Sequence, residues 1–298
     1  MSPLPALALA PAAPPPAWPP IPPAYRAALD AGAQAKFELF ERWIPFDAAG
    51  TLVDIGCGPG GVTARLAAAR PACAVLGLDA HPEMVAQAAA RHGGRPNLRF
   101  AEAEAGAALA GPQSLCLLSS VLHEVAAAAG LAAVERVLRS AAASLGRGGR
   151  LIVRDFVRPA DAARPVRLRH ARHDLVRGRS FADFAAAAPF PVRLDHCRIE
   201  PGAIRCDTDL EGAYEFVLRK DCGDAWAAEL GQRYAFWSEA DCRRLLREAG
   251  LRLLHLEAAD DRWIVQQRLL GRVEIFDAGS GRALPVPATK LIAVAEKP

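Results

Sequence analysis

Residues 51–61, TLVDIGCGPGG, place an acidic side chain directly before a glycine-rich turn. Asp54 is followed by glycines at three alternate positions, Gly56, Gly58 and Gly60. The apolar residues before the turn predict a buried strand, and the apolar spacing after it predicts a helix. Glycine tolerates positive φ and has no Cβ, so a ligand can approach the backbone, and the free N–H groups of the helix favour a polar or anionic group. The stretch predicts a site for a nucleotide-type ligand.

Two kinds of nucleotide fit this turn. Gly56, Gly58 and Gly61 satisfy GxGxxG, the dinucleotide pattern. Asp54 and the three alternate glycines satisfy DxGxGxG, and on these residues the chain resembles the class I S-adenosylmethionine-dependent methyltransferases. A carboxylate two residues before the first glycine is unfavourable beside a pyrophosphate and suits a ligand that carries an ammonium and a sulfonium. The resemblance implies S-adenosyl-L-methionine as cofactor, and an NAD-dependent oxidoreductase stays open.

Two further acidic residues follow predicted strands. Asp79 ends a predicted second strand at 74–78, about twenty residues past the glycines, where a carboxylate can hold a ribose diol. Both ligand hypotheses predict this role. Glu102 follows a predicted third strand at 97–101, and the resemblance implies that it accepts a hydrogen bond from the adenine amino group. Glu104 competes for that role, and a solvated loop is the other reading of this segment.

His123 is the catalytic candidate. It lies in SSVLHEV, directly after a predicted fourth strand at 115–119, and open α/β folds place their chemistry at this end of the sheet. Histidine can take a proton near neutral pH, so His123 could be a general base. Methyl displacement at a sulfonium depends mainly on alignment, and a structural role is the alternative. The Asn/Asp-Pro-Pro-Tyr/Phe motif of amino-methylating DNA enzymes is absent, which argues against adenine or cytosine amines as acceptor.

Helix and strand patterns alternate five times up to a fifth strand at 150–156, which predicts a parallel sheet. A sixth strand is predicted at 251–256, and segments 272–276 and 290–295 suggest a closing antiparallel hairpin. The resemblance therefore implies a Rossmann-like, doubly wound α/β sheet of about seven strands with an antiparallel last strand. It places residues 24–298 in one methyltransferase domain.

Residues 157–237 interrupt this alternation and are too many for a loop, so we expect a lid or substrate insertion between the fifth and sixth strands. Part of it combines arginines with an apolar stripe at Leu168, Ala171 and Leu175, which predicts a basic amphipathic helix. Such a helix could hold an anionic small molecule or contact RNA backbone, or it could be a solvated face. The arginines are Arg164, Arg167, Arg169, Arg172, Arg177 and Arg179.

Composition limits the remaining options. The net charge of +3 is mild and does not by itself indicate nucleic acid. Residues 1–23 hold ten prolines, which predicts a disordered or polyproline II tail without the features of a signal peptide. No apolar run is long enough to span a bilayer.

Seven scattered cysteines without a CxxC pair predict reduced thiols in a cytoplasmic protein and no metal site.

The sequence therefore predicts an enzyme that transfers a methyl group from S-adenosyl-L-methionine to a small-molecule acceptor. Whether an oxygen, nitrogen or carbon atom is methylated stays open. The alternatives are an RNA methyltransferase, an NAD-dependent oxidoreductase and a non-catalytic module that binds the cofactor.

Overall fold

The computed structural model describes residues 30–45, 50–172 and 179–298, and the predicted tail at 1–23 lies outside them. The described chain forms two compact units. The first unit contains the described residues up to Asp155, together with Glu239–Glu257 and Leu291–Pro298. The second unit contains Phe156–Ser238 and Ala258–Lys290. Within the described residues, no helix is long and apolar enough to cross a membrane.

The strands of both units are numbered in chain order. They are β1 Thr51–Ile55, β2 Ala74–Asp79, β3 Leu98–Glu102, β4 Gln113–Ser119, β5 Leu145–Asp155, β6 Pro165–Ala171, β7 His196–Glu200, β8 Ala203–Asp209, β9 Arg252–Ala259, β10 Val273–Asp277, β11 Ala283–Leu284 and β12 Lys290–Glu296. The α-helices of the described residues are α1 Ala33–Glu38, α2 Gly61–Ala69, α3 Pro82–His92, α4 Leu122–Ser144, α5 Phe181–Ala187, α6 Leu210–Val217, α7 Trp226–Leu230, α8 Glu239–Glu248 and α9 Arg262–Ile264. Short 3-10 turns lie at Glu41–Trp43 and Gly223–Ala225, and a π-helical turn lies at Val265–Leu269.

A seven-stranded sheet in the order β3-β2-β1-β4-β5-β12-β9 organises the first unit. Its strands β1 to β5 pair in parallel, and β12 pairs antiparallel with β5, with Leu291 opposite Asp155. This confirms the predicted α/β sheet with a reversed last strand. The chain leaves β1 in one direction through β2 and β3 and in the other through β4 and β5. The carboxyl ends of β1 and β4 therefore flank the switch point where such sheets bind ligands.

The second unit has its own antiparallel sheet, in the order β11-β10-β6-β8-β7. Residues 272–276 were predicted to form a hairpin with the last strand of the first sheet, and this prediction is wrong. The strand Val273–Asp277 pairs with β6, and the turn that follows it leads to β11. The turn signal was right, but a turn does not specify which sheet its strands join. The predicted lid role of residues 157–237 stays a prediction.

The predicted basic helix is also wrong, because residues 165–171 form strand β6. Along β6, Val166, Leu168 and His170 are buried while Arg167 and Arg169 are more exposed, which is the alternation of a strand. Leu175 and Arg177 lie outside the described residues.

Acidic neighbours neutralise three of the arginines in this segment. Arg164 pairs with Asp277, Arg167 with Asp207, and Arg169 with both Glu200 and Glu274. An arginine held by carboxylates offers less charge to an anionic ligand, so this part of the chain gives little support to phosphate or RNA binding.

Cys197 and Cys206 form a disulfide, so the expectation of reduced thiols is wrong for this pair. The two residues face each other across the antiparallel pair β7–β8. Their separation of nine residues around a Pro-Gly turn was the available signal, but it required the hairpin register to be known. Among the described residues, no cluster of three or more His, Cys, Asp or Glu side chains could hold a metal ion.

Candidate functional site

The glycine turn connects β1 to α2 in left-handed backbone conformations. Gly56, Gly58 and Gly60 have φ values of 74°, 52° and 85°. The N–H groups of Gly56 and Cys57 both donate to the carbonyl of Leu78, at 2.7 and 2.8 Å. These two bonds fasten the start of the turn to the carboxyl end of β2. The turn is therefore held at the switch point of the sheet, where the sequence placed the ligand site.

The three glycines differ in what surrounds them. A Cβ on Gly56 would lie 2.6 Å from a methyl of Val121, and one on Gly60 would lie 2.9 Å from Ala88 and Phe100. A Cβ on Gly58 would meet no atom within 4 Å. Gly56 and Gly60 therefore allow close packing, while Gly58 leaves open space beside the backbone. Gly58 is the position at which a bound molecule can approach the chain.

Asp54 is a buried carboxylate at the end of β1, only 1% exposed. Its Oδ2 accepts a hydrogen bond from Thr63 Oγ1 at 2.7 Å, and its Oδ1 has no partner among the described residues. Burial raises the pKa of Asp54 to about 6; the Thr63 bond opposes this rise, the charge of Asp79 adds to it, and Lys36 opposes it. The ionised carboxylate of Asp54, at the end of β1, therefore has fewer partners than its charge requires. A cationic ligand at the turn would stabilise that charge.

Asp79, at the end of β2, is aimed at the same turn. Its Oδ2 accepts from the Gly58 N–H at 2.7 Å, and its Oδ1 accepts from the His81 N–H at 2.9 Å. Burial raises the pKa of Asp79, and these two backbone bonds oppose the rise. Each carboxylate oxygen has a further lone pair, so the fixed carboxylate could also accept from two hydroxyl groups. This geometry fits the predicted ribose role.

Glu102 and Glu104 are less constrained than these aspartates. Glu102 is the last residue of β3 and lies opposite Asp79 in the β2–β3 register. Both glutamates are exposed, and Glu104 lies two residues beyond Glu102, past the end of the strand. The register places Glu102, rather than Glu104, beside the residue expected to hold the ribose. An adenine role for Glu102 is a proposal that this placement supports.

His123 forms a buried pair with Asp155, a residue that the sequence analysis missed. The distance from His123 Nδ1 to Asp155 Oδ1 is 2.8 Å. The other carboxylate oxygen, Oδ2, accepts from the backbone N–H groups of Leu122 at 2.7 Å and His123 at 3.4 Å. Because a carboxylate accepts, this contact favours the tautomer of the neutral ring with its proton on Nδ1, and in that tautomer Nε2 is the acceptor nitrogen. The signal for Asp155 was an acidic residue at the carboxyl end of β5, beside β4.

Comparisons with known proteins agree with this geometry. A protein-family model described as a methyltransferase domain matches residues 53–151, which include the glycine turn, Asp79, Glu102 and His123. The trans-aconitate 2-methyltransferase of Methylobacterium nodulans is 34% identical over 152 residues, 51% of this chain and 50% of that protein. The protein of the same name from Methylobacterium radiotolerans is 46% identical over 68 residues, 23% of this chain and 25% of that protein. The chain spans half or less of the length of these relatives.

Solved structures share the fold. An S-adenosylmethionine-dependent methyltransferase from Mesorhizobium loti superimposes with a TM-score of 0.51 at 19% identity, over 88% of this chain and 97% of that one. TnmH superimposes with a TM-score of 0.51 at 17% identity, over 92% of this chain and 57% of that one. Residues 53–151 therefore match a methyltransferase domain, the solved structures support the same fold for the chain, and S-adenosylmethionine is the cofactor that these findings imply.

The residues present fit that cofactor. The open space at Gly58, the buried charge of Asp54 and the fixed carboxylate of Asp79 suit a nucleoside with a cationic amino acid group. A pyrophosphate would place negative charge next to both aspartates, so the site disfavours a dinucleotide.

Proposed function

We propose that this protein transfers a methyl group from S-adenosylmethionine to an oxygen of a small-molecule carboxylic acid. The observation that carries the methyl-donor half of the proposal is the pair of carboxylates at the glycine turn, the buried Asp54 and the partly buried Asp79, together with the open space at Gly58. The acceptor half is supported by the relatives, which are named for methylation of trans-aconitate. Trans-aconitate is therefore the first acceptor to assay.

Each site residue has a defined part in this proposal. Gly58 gives the cofactor room at the backbone, Asp79 binds the ribose hydroxyls, and Glu102 accepts from the adenine amino group. Asp54 attracts the ammonium and sulfonium groups of the cofactor. Its carboxylate is bonded to Thr63 and shielded from water, so water screens this attraction only weakly. When bound, the cofactor supplies an electrophilic methyl group. The protein then aligns an acceptor oxygen with that carbon, and alignment accounts for most of the rate.

A carboxylate acceptor needs no base. Its pKa is near 4, so it is already ionised at neutral pH, and His123 would have no proton to remove. With this acceptor, the pair with Asp155 serves to fix the start of α4 beside the site through the two backbone bonds.

A hydroxyl acceptor is the second candidate, and the His123–Asp155 pair favours it. The pair holds the imidazole in the tautomer whose Nε2 can accept a proton, and Asp155 stabilises the imidazolium that forms. A hydroxyl has to lose its proton during methyl transfer, so His123 would be the general base and Asp155 its positioning residue.

The variant His123→Asn separates the two candidates, because the Asn amide can still donate to Asp155 while the basic nitrogen is removed. Methyl transfer is measured with trans-aconitate and with hydroxyl-bearing acids of similar size. For a carboxylate acceptor we expect kcat within about threefold of the wild type. For a hydroxyl acceptor we expect a loss of about 10²-fold or more. Absence of methyl transfer to every carboxylic acid tested, with cofactor binding intact, would contradict the proposed acceptor class.

A further inference from the structure

Strand β7 is the last strand of the second sheet, and among the described residues it pairs only with β8. Its side chains are exposed or partly exposed along its whole length. Ile199 is 71% exposed, although Ile204, which faces it on β8, is only 8% exposed. An exposed edge strand offers unpaired backbone N–H and C=O groups to another strand. Here the same edge also exposes a large apolar side chain.

The charges on this edge are not balanced within the chain. The outer face of the sheet carries Arg167, Arg169 and Arg205, and each of them pairs with a carboxylate. Arg198 on β7 instead donates to the neighbouring His196 Nε2 at 3.0 Å and has no carboxylate partner within the described residues. It also stands opposite Arg205 in the β7–β8 register, which leaves positive charge at the edge.

We propose that β7 pairs antiparallel with β7 of a second copy of this chain, about a twofold axis at Ile199. In this register Ile199 faces Ile199 of the second copy. Arg198 then faces Glu200 of the second copy, and Glu200 faces its Arg198, because residues on both sides of the axis are exchanged. The segment Arg198-Ile199-Glu200 is therefore complementary to itself in shape and charge. The product is a continuous ten-stranded sheet across two copies.

The edge is rigid enough for this pairing. The disulfide between Cys197 and Cys206 and the backbone ladder to β8 hold β7 in its extended form. A strand that is already ordered loses little conformational entropy when it adds to another strand. Because Arg198 and Glu200 lie on the same face of β7, one pairing gives Arg198 a carboxylate partner and covers the exposed isoleucine.

Sedimentation velocity of the full chain over a range of concentrations tests this pairing. We expect a dimer for the wild type and at least a tenfold weaker self-association for Ile199→Lys, which places two like charges on the twofold axis. Leu270→Lys is the matched control, because Leu270 is equally exposed at 72% but lies outside β7. The control should dimerise like the wild type. Wild-type monomers at every concentration, or an Ile199→Lys dimer of unchanged strength, would overturn the proposal.

Charge reversal gives a test that a folding defect cannot imitate. Arg198→Glu and Glu200→Arg should each be monomeric alone, because each places like charges opposite one another. Mixed in equal amounts they should form a heterodimer, since both pairs are then complementary. Circular dichroism checks that each variant is folded. If both variants are folded and the mixture stays monomeric, the proposed register is overturned. Methyl transfer is not part of the readout, so the result stands independently of the proposed function.

Discussion

Two buried carboxylates, Glu215 in the second unit and Asp54 in the first, are compensated in opposite ways. In the second unit the buried Glu215 pairs with the buried Arg219 and also accepts from the N–H of Ala235 at 2.7 Å and of Tyr234 at 3.2 Å. Arg219 also donates to the Glu229 carbonyl at 2.9 Å and lies 3.9 Å from the Tyr234 ring centroid. In the first unit, Asp54 has one hydroxyl donor, a second oxygen without a partner and a raised pKa.

The number of partners that the protein supplies to a buried charge indicates whether that charge serves the fold or a ligand. A buried charge whose partners are all supplied by the chain helps to define the fold, and breaking the pair leaves the other charge uncompensated. A buried charge with too few partners lowers the free energy of unfolding. Such a charge is expected at a binding site, where the ligand supplies the missing partner. The comparison therefore supports a stability role for Glu215 and Arg219 and the proposed cofactor-binding role for Asp54. Substitutions in the two groups should have opposite consequences.

The largest effect is expected from Arg219→Met. The substitution leaves Glu215 buried without its cation, so we expect the free energy of unfolding to fall by about 3–5 kcal/mol. The affinity of the remaining folded protein for S-adenosylmethionine should not change, because the proposed cofactor residues Asp54 and Asp79 are held by other partners, Thr63, Gly58 and His81. Denaturant unfolding and calorimetry measure the two quantities. A decrease of less than about 1 kcal/mol in unfolding free energy would contradict the stabilising role given to the Glu215–Arg219 pair.

Asp54→Asn should raise the free energy of unfolding, whereas Arg219→Met lowers it. The folded pKa of about 6 lies above the ordinary value of 3.8, so the folded state keeps this proton to higher pH than the unfolded state. Stability therefore falls as the pH rises from about 4 to about 6 and is constant above that range. Asparagine avoids this cost while it can still accept from Thr63. We expect a gain of up to about 3 kcal/mol in unfolding free energy at pH 7.

The same variant should bind S-adenosylmethionine about tenfold more weakly, because the negative charge is gone. In the wild type, affinity should fall as the pH drops through about 6 and Asp54 takes up a proton. In Asp54→Asn this part of the pH dependence should be absent. A variant that is less stable than the wild type at pH 7, or that binds the cofactor equally well, would contradict the role given to Asp54.

Asp79→Ala should lower the affinity for S-adenosylmethionine about 10²-fold, which corresponds to two good hydrogen bonds to the ribose. The variant should stay folded, since the turn keeps its bonds from Gly56 and Cys57 to Leu78. Asp195→Ala is the matched control, because Asp195 is an exposed acid of the second unit. Cofactor affinity within threefold of the wild type would remove the ribose role from Asp79.

The smallest effect distinguishes the two glutamates. Glu102→Ala should weaken cofactor binding about fivefold, the cost of one hydrogen bond to a partly solvated group. Glu104→Ala should leave it unchanged. The reverse result would transfer the adenine role to Glu104.

The structure confirms the sequence predictions for elements that a short stretch of sequence determines. The apolar runs that form β1, β2 and β4 lie directly before the residues that they position, so the sites of Asp54 and Asp79 could be predicted. Asp155 could not be assigned to His123, because the two lie 32 residues apart and meet only once β4 and β5 are paired. That contact depends on sheet register, which no short stretch of sequence contains.

The second unit was harder for the same reason. The spacing of Leu168 and Ala171 fits a helix, while the alternation from Val166 to His170 fits a strand, and only pairing with β8 and β10 selects the strand. The disulfide likewise follows from the β7–β8 register. Counting arginines in the sequence overestimated the basic character of the segment, because their acidic partners come from distant strands.

The most direct test of the central claim is calorimetric titration of the purified protein with S-adenosylmethionine and, separately, with NAD. On the proposal that Asp54 and Asp79 bind a cationic nucleoside, we predict saturable binding of S-adenosylmethionine with a Kd in the micromolar range and no detectable heat with NAD. Saturable binding of NAD together with no response to S-adenosylmethionine would contradict the account.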